Sequence, residues 1–453
     1  MDLSEIPIIN DTKSSTRQSH TRTPRELRTD EEYEADPHTQ EVGDANIPMS
    51  EDEDSVEEDE EEEEEEDVFY TPGTQELYDA RIEILNQSLS RASQRIDTLK
   101  QNAKDPDFIK HLKHRRNINS KLATYGLYGS QLIPGNTRAI SIVRFSKNSD
   151  LIACGSWDGS ISILNSQDLT TKTQAVSGSH LEKVGGLDWS FASNENLLIS
   201  GANEGTINLW NITDTQDKIK PKLTIKDAHS SRITKTLFHP IISKYAISTS
   251  FDQTWKLWDL ETSKCLLEQE GHSKEVFCGS IHPDGSLFAS GGLDGVSHIW
   301  DLRSGRSIAR LQKHMQGIYS TDWSPNGYHL ATASGDCTVK IWDLRKLDRG
   351  GDNELFSIPA HKKIVSEVRF FNKRNCGNIV DQEQESTYST GAFLATSSYD
   401  GLVNIWSSDN WIKVKTLEGH TEKVMSCDIN GDGSQIISSG WDRSIKIWQS
   451  YQI

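Results

Sequence analysis

The sequence predicts an all-β fold, a seven-bladed β-propeller, behind an N-terminal arm that is first disordered and then α-helical. Three observations support this prediction. A pattern built on an acidic residue and a Trp recurs seven times, acidic residues dominate the first 70 positions, and an apolar period of helical type lies between the two regions. We therefore expect a disordered acidic tail (1–67), a helical basic arm (68–121) and a propeller (122–453).

The formal net charge of −20 is concentrated near the N-terminus of the 453-residue chain. Residues 1–70 contain 26 acidic and 5 basic side chains, whereas the remaining residues contain 42 and 43. Between positions 51 and 67, 15 of 17 residues are acidic. Such a segment repels itself and has too few apolar residues to fold. We predict a disordered spacer, with docking to a basic partner as the alternative.

The cysteines and the apolar segments restrict the class of protein. The six cysteines form no C-x-x-C pair, and no His cluster has metal-ligand spacing, so neither a disulfide framework nor a zinc site is indicated. No stretch approaches the ~18 apolar residues of a membrane span, and residues 1–13 lack the pattern of a signal peptide. We expect a soluble protein of a reducing compartment, without a cofactor, a metal or a membrane partner.

The arm is predicted to be helical from its first residues and from its apolar spacing. Thr71, Pro72 and Thr74 suit a helix N-terminus, because a hydroxyl can cap unpaired N–H groups and Pro fits the first turn. Apolar residues then recur at mixed spacing close to 3.5 as far as about Ala103. They form a candidate partner-binding seam of Leu77, Ile84, Leu85, Leu89 and Ile96. Packing of this seam on the propeller is the alternative.

A basic stretch follows the helix break at Asp105-Pro106-Asp107. Because the rest of the folded region is near neutral, this stretch is the best candidate for contact with RNA or phosphate. The candidate residues are Lys110, Lys113, Arg115, Arg116 and Lys121. A solvated helix face explains them equally well.

Seven copies of one unit fill the rest of the chain. Five copies have Asp followed six positions later by Trp, while the first has Asp158 and Leu164 and the second has Glu204 and Trp210. Six copies also have an upstream His and a Ser or Thr four positions before the acidic residue. Short runs rich in Val, Ile and Thr, separated by Asp-Gly turns, indicate four strands per unit.

This repeat resembles the WD40 family, in which His, Ser or Thr, Asp and Trp form a hydrogen-bonded set within each blade. In the fourth unit the set is His272, Ser290, Asp294 and Trp300. A set repeated in six or seven units is structural, since an active site is a single constellation. No Walker loop, dinucleotide fingerprint or nucleophile elbow appears. We therefore predict no enzymatic activity and no small-molecule substrate.

The ring of blades needs a closing strand. After Trp448 only positions 449–453 remain, too few for the outer strand of the seventh blade. We expect that strand upstream, within Tyr125–Ile133, which would join the first and last blades and remove an open edge.

The WD40 resemblance also implies a binding rim. In that family the residue before each blade's Asp, and two positions near the start of the innermost strand, point to the rim of one face. Aromatic and cationic residues there are typical of binding hot spots, although the aromatics could instead pack on neighbouring loops. The candidate rim is Trp157, Lys183, Arg232, Phe251, Phe277, Tyr319, Tyr399, Lys423 and Trp441. The sixth unit also carries an insertion between Phe371 and Phe393, expected to be an exposed loop.

Phrases outside the repeat signature resemble a narrower family. Asp67–Arg81, Gly155-Ser-Trp-Asp158 and Ser439–Lys446 are similar to segments of the WD-repeat proteins of the spliceosomal U4/U6 small nuclear ribonucleoprotein. The resemblance implies a nuclear, non-catalytic splicing factor. It would bind other proteins of the U4/U6 and U4/U6·U5 particles, and U4/U6 RNA directly or through proteins. The alternative is a WD40 adaptor that recognises a peptide or histone tail in a ubiquitin ligase or chromatin complex.

Overall fold

The computed structural model describes residues 73–104, 108–193, 195–212, 218–349, 353–373 and 390–450. Two helices, α1 (Gln75–Lys104) and α2 (Phe108–Ala123), precede the strands. The predictions for the acidic tail at 1–67 and for most of the sixth-unit insertion, at 374–389, lie outside the described residues.

The described strands form seven antiparallel blades around a central channel, which confirms the predicted fold class. The innermost strands are β2 (Ile140–Phe145), β6 (Val184–Trp189), β11 (Ile233–Phe238), β15 (Val276–Ile281), β19 (Ile318–Trp323), β23 (Val365–Phe370) and β27 (Val424–Ile429). The second strands are β3 (Leu151–Ser156), β7 (Leu197–Ala202), β12 (Tyr245–Ser250), β16 (Leu287–Gly292), β20 (His329–Ser334), β24 (Phe393–Ser398) and β28 (Gln435–Gly440). The third strands are β4 (Ile161–Asn165), β8 (Ile207–Asn211), β13 (Trp255–Asp259), β17 (Ser297–Asp301), β21 (Thr338–Asp343), β25 (Leu402–Ser407) and β29 (Ser444–Ser450).

The outermost strands are more exposed and more variable. They are β1 (Tyr125–Leu132), β5 (Thr171–Ala175), β10 (Leu223–Ile225), β14 (Lys264–Gln269), β18 (Arg306–Leu311), β22 (Glu354–Pro359) and β26 (Lys413–Glu418). The first blade gains a fifth strand, β9 (Lys218–Ile219), which pairs in parallel with β5. A 3₁₀ helix at Leu344–Arg349 follows β21.

The seventh blade combines strands from both ends of the propeller. Its order is β1-β29-β28-β27, with Tyr125 opposite Ser450 and Leu132 opposite Ser444. The Tyr125 hydroxyl also donates a hydrogen bond to the Gly433 carbonyl. The pairing of β1 with β29 gives the last blade its fourth strand and joins the N-terminal and C-terminal ends of the propeller, with β1 as the outer edge.

The turns between the second and third strands have an acidic residue followed by a residue with positive φ, which is glycine in four blades and Gln253, Cys337 or Arg443 in the other three. In the fourth blade the Asp294 carboxylate accepts a hydrogen bond from the backbone N–H of Val296 at 3.0 Å. Gly295 has a φ of +78°, and a Cβ there would lie 3.2 Å from the carbonyl oxygens of His314 and Gln316. In the fourth blade both the positive φ and the close approach of the next blade therefore favour glycine at this position.

The apolar core lies between adjacent blades. At the third interface Trp255 packs against Phe288 and Trp300, with ring centroids 4.9 Å and 5.7 Å apart. Such buried aromatic pairs contribute about 0.5–1.5 kcal/mol beyond their area burial. The first three strands of each blade are mostly buried, so burial between blades holds the ring together.

The arm lies along the lower face, defined here as the end at which the innermost strands finish. Leu77, Ala80 and Ile84 of α1 are buried in the cluster between the third and fourth blades. Ile118 and Leu122 of α2 are buried in the cluster between the sixth and seventh blades. The two helices therefore contact opposite sides of the ring before the chain enters β1.

Candidate functional site

The repeated polar residues lie inside the blades. In the fourth blade Trp300 Nε1 donates to Ser290 Oγ at 2.9 Å, Ser290 Oγ lies 2.8 Å from His272 Nε2, and His272 Nδ1 lies 3.1 Å from the Asp294 carboxylate. The same arrangement occurs in five more blades: His180, Glu204, Ser200 and Trp210; His229, Asp252, Ser248 and Trp258; His314, Asp336, Thr332 and Trp342; His361, Asp400, Thr396 and Trp406; and His420, Asp442, Ser438 and Trp448.

The first blade uses different side chains at the same place. Ser160 Oγ donates to Asn136 Oδ1 at 2.7 Å and to Asp158 at 2.6 Å, while Cys154 and Leu164 are buried where the other blades have a hydroxyl and an indole. In the fourth blade, burial alone would raise the pKa of Asp294, but hydrogen bonds from His272 and two backbone N–H groups outweigh it and hold the pKa at about 2. These groups are occupied by one another, which fits a structural role.

The rim residues of the upper face contact one another in two arcs. In the first arc Lys183 Nζ lies 4.5 Å from the centre of the Trp157 ring, and Trp157 meets Trp441 edge to face at 5.5 Å. Lys423 Nζ lies 4.4 Å from the Trp441 ring and 5.2 Å from the Tyr399 ring. This arc contains two cations held on aromatic faces.

The second arc lies on the opposite side of the channel mouth, and the two arcs together form a belt of rim residues. The Arg232 guanidinium lies 5.9 Å from the Phe251 ring. Phe251 contacts Phe277 at 6.2 Å, and Phe277 contacts Tyr319 edge to face at 4.9 Å. All nine residues of the sequence-predicted rim thus lie at one mouth of the channel, as the resemblance implied.

The belt surrounds a cavity of 630 Å³, whose lining includes seven of the nine rim residues. Within the described residues, no carboxylate forms an ion pair with Lys183, Arg232 or Lys423, so the partners of these cations are aromatic rings. Burial, and then the positive charges of Arg232 and Lys235, lower the pKa of Lys183 to about 8. The upper mouth therefore combines cations with aromatic rings, and the carboxylates of Asp158 and Glu182 also line its cavity.

A buried carboxylate closes the floor of this cavity. Glu367, on the innermost strand of the sixth blade, pairs with Arg144 of the first blade and with Lys235 of the third blade, the latter at 3.0 Å. It also accepts hydrogen bonds from Ser426 Oγ at 2.5 Å and from the backbone N–H of Cys427 at 3.1 Å in the seventh blade. One side chain thus connects four blades across the channel, and the sequence alone did not identify it.

The lower half of the channel carries three aspartates at equivalent positions. Asp188, Asp322 and Asp428 each accept a hydrogen bond from a backbone N–H of the next blade, at 2.9, 2.6 and 2.8 Å. Burial raises the pKa of Asp322 to about 6, with Arg369 opposing the shift. These carboxylates hold adjacent innermost strands together, so their role is also structural.

The predicted arm seam divides between two faces of α1. Leu77 and Ile84 are buried against the propeller, so for these two residues the interpretation as a free partner seam is wrong and the alternative holds. Leu85, Leu89 and Ile96 lie on a different face and are exposed, Leu89 by 55%. Together with Tyr78 and Ile82, which are also exposed, they follow one another at intervals of four, three, four and seven residues, the spacing of a coiled-coil stripe.

Polar contacts fix α1 in this orientation. Arg95 forms an ion pair with Asp284 at 2.7 Å and donates to the carbonyl oxygen of Asn326 at 2.7 Å, which connects the helix to the fourth and fifth blades. The Tyr245 hydroxyl donates to Glu83 at 2.7 Å. The exposed stripe is therefore presented by a helix that is anchored along its opposite side.

The basic candidates of α2 differ in their surroundings. Arg115 pairs with Asp409 of the sixth blade at 3.1 Å, which connects the helix to the propeller. Lys113 and Arg116 are exposed, and neither forms an ion pair with any described residue. Lys121 is exposed near the end of the helix, while the side chain of Lys110 lies outside the described residues. Lys113 and Arg116 are thus the members of the predicted set best placed to bind phosphate.

Comparison with protein families identifies the repeat. The WD domain, G-beta repeat model matches residues 129–165, 172–211, 263–301, 305–343, 386–407 and 411–449. The match omits the third unit, yet the structure has a complete blade there, β11–β14. The curated U4/U6 small nuclear ribonucleoprotein PRP4 of Saccharomyces cerevisiae is 42% identical over 380 residues, which cover 84% of this chain and 77% of that protein.

The chain belongs to the PRP4 family of WD-repeat proteins.

The matched length exceeds that of the propeller region, so the similarity to PRP4 extends into the residues before it. The U4/U6 small nuclear ribonucleoprotein PRP4-like protein of Arabidopsis thaliana is 53% identical over 60 residues, 13% of this chain and 11% of that protein. An uncharacterized WD repeat-containing protein of Schizosaccharomyces pombe is 40% identical over 189 residues, 40% of this chain and 38% of that protein.

The described part of the chain contains neither a cluster of metal-ligating side chains nor a membrane-spanning helix. No group of three or more His, Cys, Asp or Glu side chains there is arranged to hold a metal ion. Neither of the two described helices has the length and apolar character needed to cross a membrane.

Proposed function

We propose that this protein is a non-catalytic scaffold of nuclear pre-mRNA splicing, a component of the U4/U6 and U4/U6·U5 small nuclear ribonucleoproteins. The observation that carries the proposal is the 42% identity to PRP4 over 84% of the chain. The structure supports a binding role, because the repeated His, Asp and Ser residues are hydrogen-bonded to one another inside the blades. Function then lies on the surfaces that the blades and the arm present.

The exposed stripe of α1 is our candidate contact for other proteins of the particle. A row of exposed apolar side chains on an anchored helix fits the apolar face of a second helix. The row consists of Tyr78, Ile82, Leu85, Leu89 and Ile96. Because Arg95 already anchors the helix, binding of a partner to this row costs little conformational entropy.

The exposed cations of α2 are our candidate contact for U4/U6 RNA. Lys113 and Arg116 lie three positions apart, so they share one side of the helix. Lys110 and Lys121 belong to the same proposed surface. Each phosphate contact of this kind contributes to affinity in a salt-dependent, sequence-independent way.

Co-purification of RNA tests the overall proposal. The tagged full-length protein is isolated from cells, and U4, U6 and U1 RNAs are quantified in the eluate. We expect strong enrichment of U4 and U6 over U1. Enrichment of U4 and U6 no greater than that of U1 would refute the splicing assignment, and recovery of a ubiquitin ligase or chromatin complex instead would favour the adaptor function.

A charge substitution tests the stripe. Leu85→Asp with Leu89→Asp places two carboxylates on it, whereas Ser90→Asp with Gln94→Asp adds the same charge to exposed positions off the stripe. We expect the first variant to lose co-purifying particle proteins and the second to retain them. Equal recovery by both variants would exclude the stripe as a contact.

Ultraviolet crosslinking tests the basic helix. Lys113→Glu with Arg116→Glu is compared with Lys274→Glu and Lys413→Glu, which reverse two exposed charges elsewhere on the propeller. We expect crosslinks to U4 or U6 RNA to fall several-fold in the first variant only. If both variants crosslink like the unchanged protein, α2 makes no RNA contact.

A further inference from the structure

An unbroken heptad repeat runs along the exposed stripe of α1. Its members are apolar and follow one another at alternating steps of four and three residues. They are Tyr78, Ile82, Leu85, Leu89, Ala92, Ile96 and Leu99. A step of three leads from position a to position d of a heptad, so Ile82, Leu89 and Ile96 are a residues and the others are d residues. Because a straight α-helix has 3.6 residues per turn, a strict repeat of seven is typical of a helix that coils around a second one.

The propeller leaves this repeat uncovered. Leu77, Ala80 and Ile84 form a separate row of α1, which is buried between the third and fourth blades. Tyr78 and Leu89 of the stripe are 59% and 55% exposed. Two apolar rows on one helix require two neighbours, and the described residues supply only the first. The acidic stretch 51–67 has a single apolar residue, Val56, so it cannot supply the second.

We infer that one α-helix of a partner protein packs parallel to α1 along this repeat, as a two-stranded coiled coil. The residue types carry the number and the direction of the helices. Ile82 and Ile96 are β-branched a residues, whereas Leu85 and Leu99 stand at d, and this combination favours two parallel strands. The contact would extend over about 22 residues of each helix, roughly 33 Å. The inference rests on the proposed role of the stripe as a protein contact and adds the structure of what binds there.

The charges beside the repeat define the partner helix further. The solvent-facing flank, position e, consists of Asp79, Asn86, Ser93 and Lys100, all of them exposed. It is therefore acidic at the start of the helix, neutral in the middle and basic at the end. Lys100 lies 3.8 Å from Asp97 of the same helix, but this pair is so exposed that it contributes little. In a parallel coiled coil, position e faces position g of the partner. The partner helix should thus have a basic g residue opposite Asp79 and an acidic one opposite Lys100.

A second copy of this chain does not fit the same place. The g flank of α1 is Arg81, Ser88 and Arg95. Arg81 and Ser88 are buried, and Arg95 is paired with Asp284 of the fourth blade. In a parallel pair of identical helices Lys100 would face Arg95, a like charge, and the g flank of each copy would already be covered by its own propeller. The neighbour is therefore a different chain with an open g flank.

Site-specific photo-crosslinking tests the inference. Benzoylphenylalanine is incorporated at one e position at a time, Asp79, Asn86, Ser93 or Lys100, in the tagged full-length protein in cells. After irradiation, the crosslinked residue of the neighbouring chain is located by mass spectrometry. We expect all four probes to reach one continuous segment of one partner protein, at positions that increase by about seven from each probe to the next.

The order of the crosslinks decides between the arrangements. Positions that decrease along the partner would mean an antiparallel helix and would overturn the inference. Crosslinks scattered over several segments, crosslinks to a second copy of this chain, or no crosslink at any position would overturn it as well. U4 and U6 RNAs are quantified in the same preparations. Their recovery without ordered crosslinks would overturn the coiled coil alone, whereas ordered crosslinks without these RNAs would overturn the splicing assignment and leave the coiled coil intact.

A substitution at the centre of the repeat provides the second measurement. Ala92→Arg places a charge at a d position, whereas Ser90→Arg adds the same side chain at an exposed position off the repeat. Because the charge at d would have to be buried, we expect recovery of the crosslinked partner to fall at least about tenfold with Ala92→Arg and to be unchanged with Ser90→Arg. Equal recovery by both variants contradicts the inference. Should Ala92→Arg lower the Tm, Leu89→Arg, at an exposed a position, replaces it and must give the same loss.

Discussion

Glu367 offers the sharpest test of how the ring is held together. Its side chain is 2% exposed and contacts Arg144, Lys235 and Ser426, three residues from three other blades. Glu367→Gln keeps the size of the side chain but removes its charge, leaving the cations in the channel without their carboxylate. Breaking a buried ion pair by removing one partner costs about 3–5 kcal/mol. Because the amide oxygen still accepts a hydrogen bond, we expect the lower end, about 3 kcal/mol.

Thermal unfolding at pH 7 measures this effect. Because the entropy of unfolding is about 2.1 cal/mol/K per residue, 1 kcal/mol shifts the Tm of a propeller spanning residues 122–453 by roughly 1.5 °C, and Glu367→Gln should lower Tm by roughly 4 °C. The matched control is Glu275→Gln, a half-buried residue of the upper loops for which no ion pair occurs among the described residues. It should change Tm by about 1 °C or less. Equal melting of the two variants would refute the role of Glu367.

The pH dependence gives an independent check. Burial alone would raise the pKa of Glu367, but Arg144, Lys235 and Arg369 outweigh it and hold the pKa well below its usual range. A carboxyl group whose pKa is lowered by folding stabilises the folded state above its unfolded pKa and loses that contribution as the pH falls through the folded one. The difference in Tm between the unchanged protein and Glu367→Gln should be constant from pH 7 to about 5. It should narrow only under strongly acid conditions.

Three further predictions address other parts of the molecule. His272→Ala removes one hydrogen-bond partner from Ser290 and one from Asp294, and it should lower the free energy of unfolding by about 2–3 kcal/mol in urea titrations; no change would refute the structural assignment. Leu77→Ala should cost about 2–4 kcal/mol and exposed Leu89→Ala under about 0.5 kcal/mol, and equal costs would mean that α1 does not pack on the propeller. Folding raises the pKa of Asp322 to about 6, so its ionisation costs stability as the pH rises; relative to Asp322→Asn, the unchanged protein should gain roughly 1 kcal/mol between pH 7 and pH 5.

The blades could be predicted because their signals repeat in phase. A repeat unit with a weak signature can be recognised because the units before and after it are in phase with it. The third unit was recognised in this way from His229, Asp252 and Trp258, although the family model does not match it. The position of β1 followed from counting strands, since the seventh blade lacked an outer one. Repetition and chain connectivity are both properties of the sequence, and they determine this part of the fold.

The face of α1 that contacts the propeller could not be predicted from the helical period alone. At about 100° per residue, Leu77 and Ile84 point in one direction, whereas Leu85, Leu89 and Ile96 point roughly 110–120° away. Both rows are apolar, and nothing in the helix itself indicates which row meets the propeller. Only the groove between the third and fourth blades, formed by distant residues, decides this.

The channel network was missed for a different reason. Glu367 lies in the strand Val-Ser-Glu-Val-Arg-Phe, where a charged residue interrupts a buried apolar run. That interruption was a usable signal, and Lys235 in β11 and Arg144 in β2 show the same one. The pairing itself depends on the channel diameter, which no local pattern contains. The rim residues, by contrast, were reached only through the resemblance to a known family.

The pairing of β1 with β29 also constrains the order in which the molecule can form. During synthesis β1 leaves the ribosome before any blade, and its partner strand leaves last. Until then β1 has an open edge, and the contacts it awaits are separated from it by more than 300 residues, which makes closure slow. The neighbouring helix α2 cannot dock before this stage either, because Ile118 and Leu122 pack on the sixth and seventh blades. A nascent chain stalled before Ser444 would therefore expose both the apolar residues of α2 and a strand without its partner, the features that chaperones recognise.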